Sequence, residues 1–243
     1  MAEDNDMIKL LLLFSTNARA HKPSFGPNPS IADAFQVSDP NISIVVYQDI
    51  TCEDDQLWLE FSAEEGFGLY VQAGIPVIER LESYLPHVAI VFPGFPTADR
   101  EYPFEIPQGM GVYELEPTES PSDFYEPFTQ TSSWIWVEET ISLPQTGSGY
   151  IVGWNENTET GKLWLATGTI EDFSDVAVSD FIMWTEYVNN FHETGRYEPI
   201  LPKEEQTCTE NIETSEEKQG CGGTMAWLLL PVLFNRRRKE NVI

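Results

Sequence analysis

Basic residues are the scarcest resource of this chain. Lys and Arg number 13 against 40 Asp and Glu in 243 residues, a formal net charge of −27. Four of the thirteen are the consecutive Arg236, Arg237, Arg238 and Lys239, and between Pro23 and Pro202 the basic residues are Arg80, Arg100, Lys162 and Arg196 alone. Binding to nucleic acid or to an anionic membrane surface rests on phosphate-neutralising cations. The body of this protein lacks them, so no nucleic-acid partner is expected. Histidine and cysteine are scarce too, at three each. No G-x-S-x-G, H-E-x-x-H, phosphate-binding glycine loop or paired C-x-x-C occurs, which removes the common hydrolase, metalloprotease, nucleotide and zinc signatures. A Ser-His-Asp triad would need His87 or His192, and no serine stands in a nucleophile context. Nor is there an apolar run of about twenty residues, the length a free-standing membrane helix requires.

What is present is a turn-rich apolar body. Hydrophobic residues make up 41% of the chain, with 17 Pro and 16 Gly, which separates it from a disordered acidic tail. Short apolar runs are punctuated by turn formers. "ISIVVYQDI" from Ile42, "QLWLEFSA" from Gln56, "FGLYVQAGIPV" from Phe67 and "HVAIVFPGFP" from His87 make a first set. "SSWIWVEETISLP" from Ser132, "GYIVGWNEN" from Gly149 and "GKLWLATGTI" from Gly161 make a second. Leu57, Leu59 and Phe61 alternate with Trp58 and Glu60, the period of a strand with one face in a core. Strands at such spacing predict an all-β, antiparallel β-sandwich or barrel. "VIERLESYL" from Val77 predicts a short helix. "SDVAVSDFIMWTEYVNNFHE" predicts a longer amphipathic one, capped by Ser174 or Ser179, whose apolar face is Phe181, Trp184, Val188 and Phe191. Packed on a sheet edge, it would close the domain.

The two ends carry address-like segments. Met7 and Lys9 read as an n-region, Leu10 to Phe14 as an apolar h-region, and Ala18, Arg19 and Ala20 as an A-x-A cleavage site. Residues 1–20 are therefore expected to be a signal peptide, with a mature start at His21. Residues 201–219 are polar and acidic, the composition of a solvated linker. Residues 220–243 begin "GCGGTMAWLLLPVLFNRRRK", a small-residue motif of Gly220, Cys221, Gly222 and Gly223, a short apolar stretch, and the basic cluster. This tripartite layout resembles the C-terminal sorting signals of bacterial surface proteins, of the myxobacterial or GlyGly type. The resemblance implies a sorting protease as partner, a short hydrophobic helix that contacts the membrane, and an exported protein held at the cell surface or envelope. A weak membrane span or a last core helix are the other readings of the segment.

The body, residues 21–200, loosely resembles the jelly-roll-like sandwiches of secreted bacterial proteins, such as pre-peptidase C-terminal domains. Residues 56–72 and 141–154 carry that likeness, each an apolar strand, a glycine turn and a second apolar strand. Such modules are mostly non-catalytic, so the resemblance implies structure or recognition of a surface ligand. Four further expectations come from individual residues. Cys52 and Cys208 are placed to pair in an exported protein, leaving Cys221 for processing. A chain starting at His21 offers an α-amino group and an imidazole that chelate copper, as in the histidine brace of extracellular copper proteins, with His87 or His192 as a further donor. Glu53, Asp54 and Asp55, and Glu171, Asp172 and Asp175, could supply oxygen ligands to calcium. Trp134 and Trp136, if exposed, would stack on sugar rings.

Overall fold

The computed structural model describes residues 21–155 and 160–198. The signal-peptide, linker and sorting-segment expectations, with Ala18, Ala20, Cys208, Gly220, Cys221, Gly222, Gly223, Arg236, Arg237 and Arg238, lie outside the described residues. Within them are eleven strands: β1 (Lys22–Phe25), β2 (Phe35–Gln36), β3 (Ile44–Ile50), β4 (Gln56–Ala63), β5 (Gly68–Pro76), β6 (His87–Pro93), β7 (Met110–Leu115), β8 (Ser122–Glu126), β9 (Thr131–Ser142), β10 (Gly147–Trp154) and β11 (Gly161–Thr167). One α-helix, α1 (Val178–Phe191), follows. The strands form a six-stranded sheet in the order β1-β3-β11-β5-β9-β8 and a five-stranded sheet in the order β2-β4-β10-β6-β7.

The seven sequence-predicted strands are all present, and β4 covers the quoted segment from end to end. Alternation sets their faces. Leu57, Leu59 and Phe61 of β4, Val88, Ile90 and Phe92 of β6 and Ile151 of β10 meet Val46 of β3, Leu69, Val71 and Ala73 of β5, and Leu163 and Leu165 of β11 in one buried cluster. Both sheets therefore turn one face to a common core. The chain passes from one sheet to the other at every connection except β6–β7 and β8–β9. The turns at 64–66 and 144–146 thus cross between the two sheets.

Two expectations change. The sheets are mixed rather than antiparallel, because β1 pairs parallel with β3 and β2 parallel with β4. Both are short edge strands laid down by the chain as it enters the domain, and their sequences carry no apolar alternation. The segment from Val77 forms only a 3-10 turn at Glu79–Leu81.

A bulge re-aims the middle of β9. The register with β5 shifts between Ala73 and Gly74, so that Val137 pairs with Ala73 and Ile135 with Gly74, leaving Trp136 as the extra residue. Val137 faces the common core, whereas Ile135, two residues away, faces the opposite side with Val45, Trp164, Ala166 and Phe191. Gly74 makes this bend possible. A Cβ there would lie 2.4 Å from both the Trp134 carbonyl oxygen and the Trp164 ring.

Each sheet is also covered on its outer face. Helix α1 lies over the six-stranded sheet and buries Val188, Asn189 and Phe191, with Phe191 against Val45, Trp164 and Ala166. It packs on the face of the sheet, not on its edge as expected. Phe181 and Trp184 are half-buried and form an aromatic row with Phe128 and Phe173. The helix is capped by neither Ser174 nor Ser179. Ala177 is the N-cap residue, and its backbone N–H donates to Asp180 Oδ2 at 3.0 Å, the carboxylate acting at a helix N-terminus where negative charge is favourable. Over the five-stranded sheet, the segment between β6 and β7 packs Ala98, Tyr102, Phe104 and Ile106 onto Trp58, Ala89, Val91, Val112, Val152 and Trp154. Strands buried on both faces read as continuous apolar runs, as β5, β6 and β11 do.

Candidate functional site

At one end of the five-stranded sheet three outward-facing side chains stand in a row. Trp154 of β10 is the partner of Gln56 of β4 on one side and of His87 of β6 on the other. The β6–β7 segment crosses above them and leaves a cleft of about 300 Å³, lined by Asp55, Gln56, Arg100, Glu101, Pro103, Trp154 and Asn155.

The cleft is held in place by a polar network. Glu114 accepts hydrogen bonds from Arg100 Nε at 3.0 Å and Nη2 at 2.6 Å, and from the Tyr102 hydroxyl at 3.2 Å. His87 Nδ1 lies 3.6 Å from the same carboxylate, and its ring stacks on Trp154 at 5.6 Å. The Arg100 guanidinium lies 4.7 Å from the centre of the Tyr102 ring and 6.0 Å from that of Trp154. This bidentate, ring-stacked geometry suits a guanidinium and not an ammonium. On the opposite wall Gln56 donates to the Pro103 carbonyl at 2.9 Å and accepts from Trp58 Nε1 at 2.9 Å. Asn155 Nδ2 donates to the Leu85 carbonyl at 3.1 Å. Burial raises the Asp55 carboxyl above its ordinary range, against the hydrogen bonds from its own backbone N–H and from Gln56.

Chemically, the cleft offers carboxylates and amides around an indole. Serine, threonine, cysteine and lysine are absent from its lining, and the one guanidinium is already neutralised by Glu114. That set can accept and donate hydrogen bonds around one aromatic face.

The sites expected from the sequence are dispersed. His21 Nδ1 bonds to Ser43 Oγ at 2.6 Å at the head of β1, His87 stacks on Trp154, and His192 lies under the end of α1. His192 Nδ1 donates to the Val188 carbonyl at 2.8 Å and Nε2 accepts from Ser133 Oγ at 3.0 Å, so both ring nitrogens are engaged within the fold. Among the described residues no group of three or more His, Cys, Asp or Glu side chains is arranged to hold a metal ion, so the acidic turns do not assemble a calcium site. In the first acidic turn Thr51 Oγ1 accepts from the Glu53 and Asp54 backbone N–H groups. In the second, Asp172 accepts from Ser174 N and Asp175 pairs with Lys22. Trp134 and Trp136 are half-buried and pack against Ile75, Leu81 and Tyr84, with Trp136 as the extra residue of the bulge. Cys52 is disulfide-bonded.

Arg100, Glu114, Tyr102 and Trp154 were not singled out from the sequence. The signal that could have found Arg100 was its rarity among acids. Among the described residues no helix is long and apolar enough to cross a membrane. Compared with known proteins, the chain matches no family model and no curated protein.

Proposed function

We propose that this is an exported protein, held at the cell surface or envelope through residues 220–243 after processing by a sorting protease. Its jelly-roll-like β-sandwich recognises a neutral, hydroxyl-rich ligand of the saccharide class in the cleft beside Trp154, without catalysing a reaction on it. The strand order supports the jelly-roll reading. Setting aside the edge strands β1, β2 and β8, the sheets run β3-β11-β5-β9 and β4-β10-β6-β7, the two four-stranded layers such a roll requires. The disulfide at Cys52 supports an oxidising compartment.

The observation that carries the recognition reading is the lining of the cleft, where carboxylate and amide groups surround an indole and the lone cation is engaged by Glu114. Hydroxyl groups donate to such carboxylates and apolar sugar faces lie against such rings. Titration with a panel of neutral oligosaccharides should find one that binds tighter than about 1 mM. Replacing Asp55 and Glu101 together by alanine should weaken it about tenfold or more, since hydroxyls bound at these carboxylates lose their acceptors. No binding across the panel would reject the ligand class. Export is tested separately by intact mass and terminal sequencing of protein from the native envelope. A chain starting at His21 and ending near Cys221 is expected; an unprocessed chain from Met1 to Ile243 in the cytoplasm would reject it.

A further inference from the structure

Lys162 is the most unusual side chain of the domain: a lysine at 1% exposure in a chain with hardly any basic residues. It stands at the start of β11, directly opposite Asp49 of the antiparallel neighbour β3. Both side chains point to the outer face of the six-stranded sheet. Lys162 Nζ lies 2.8 Å from Asp49 Oδ1 and 3.3 Å from Glu193 Oε1. The Phe191 ring covers it, with its centre 4.9 Å from Nζ. Glu193 follows the end of α1 in a left-handed backbone conformation, φ 52°, and Arg80 Nη2 donates to its Oε1 at 2.6 Å. A non-glycine residue at that φ is uncommon, and here it turns the carboxylate back over the lysine.

An amine, the carboxyl it would acylate and a second carboxylate that touches the amine are thus in one cluster, with the amine shut away from water. We propose that Lys162 and Asp49 form an intramolecular isopeptide bond, with Glu193 carrying the proton. The Lys162 ammonium gives a proton to Glu193, which passes it to the Asp49 carboxylate. The neutral Nζ attacks Asp49 Cγ, and the tetrahedral adduct expels one Asp49 oxygen, which leaves as water with the second proton of the amine. One N–C bond forms, one C–O bond breaks, and charge and oxidation state balance without a co-reactant.

Three features of the site favour the step. The amine and carboxyl are held in contact by strand register, which removes the entropic cost of bringing them together. The amine, at 1% exposure, has little water around it to give up on becoming neutral. Asp49 is 40% exposed, so its expelled oxygen has a way out to solvent. The product would staple β3 to β11 in the six-stranded sheet and would be independent of the redox state of the surroundings.

The test is peptide mapping of the full chain after reduction and denaturation. Trypsin should fail to cut after Lys162. Residues 101–196 should then appear as one branched species joined to the peptide that contains Asp49, one water molecule lighter than the two separate peptides. Lys162→Arg keeps the cation without an acylable amine, and Glu193→Gln keeps the shape without the proton carrier. Both should show the full mass while the wild type shows the loss. Wild-type protein, folded and incubated at neutral pH, that retains the full mass and is cut after Lys162 would overturn the proposal and leave the cluster as a salt bridge. A Glu193→Gln chain that still loses water would overturn the role given to Glu193.

Discussion

Acidification from neutral pH to about pH 4 is expected to remove roughly 3 kcal/mol of stability through one side chain, His192. It is nearly fully buried at the C-terminal end of α1. Burial pushes its pKa from 6.5 down to about 4, the Val188 carbonyl opposes that shift, and the Lys162 charge adds to it. The unfolded chain therefore binds the proton first. Stability from this group is fully present above about pH 6.5 and is lost as pH falls toward 4. Glu126 acts in the opposite sense: burial raises its carboxyl, so the folded state takes up that proton more readily. A His192→Gln variant, which keeps an acceptor for Ser133, isolates the histidine. Its urea midpoint should lie below that of the wild type at neutral pH, and the gap should shrink by about 3 kcal/mol of stability at pH 4. Parallel pH curves for the two proteins would show that His192 does not titrate in this way.

Phe92→Ala is expected to cost about 4 kcal/mol. Phe92 of β6 and Phe61 of β4 flank β10, and their rings stack at 5.4 Å, only 7° from parallel. Gly149, the β10 partner of Phe61, lies directly beneath. A Cβ on Gly149 would come within 2.3 Å of the Phe92 ring, so no neighbouring side chain on that strand can move in to fill the space. The alanine would leave a cavity rather than a collapse, which places the loss toward the upper part of the usual range. Phe92→Leu, which keeps most of the volume, should cost about 1.5 kcal/mol or less in the same urea experiment. Equal losses for the two substitutions would show that the site relaxes around the missing ring.

The seven long strands were legible because their burial is written in local alternation and turn chemistry. Leu57, Leu59 and Phe61 alternate with Trp58, the first three facing the common core and Trp58 the outer cluster. The four missed strands show where that signal ends. β1 and β8 lie at the edges of one sheet, β2 and β7 at the edges of the other, and edge strands need no strong apolar pattern to pair along one side. Period-two alternation assigns a residue to a face but does not name the neighbouring strand, so it does not show that the turns after β4 and β9 cross between sheets. Helix α1 was placed correctly by its apolar spacing, but its destination on a sheet face depended on Trp164 and Ile135, which are distant in sequence.

The candidate site was less legible for the same reason. Trp134 and Trp136 pack partly against Ile75, Leu81 and Tyr84, and His21, His87 and His192 each take different partners, contacts that no local pattern announces. What the sequence determined by itself was the charge balance, the positions of the main strands, and the apolar face of α1. These depend on composition and on contacts between near neighbours along the chain. Only the tertiary structure decided which strands are adjacent, which segment covers each outer face, and that Arg100 belongs to Glu114 and Lys162 to Asp49 and Glu193. Those pairings join residues up to 113 positions apart. A local pattern cannot encode them, because strand partners are selected by how whole faces pack.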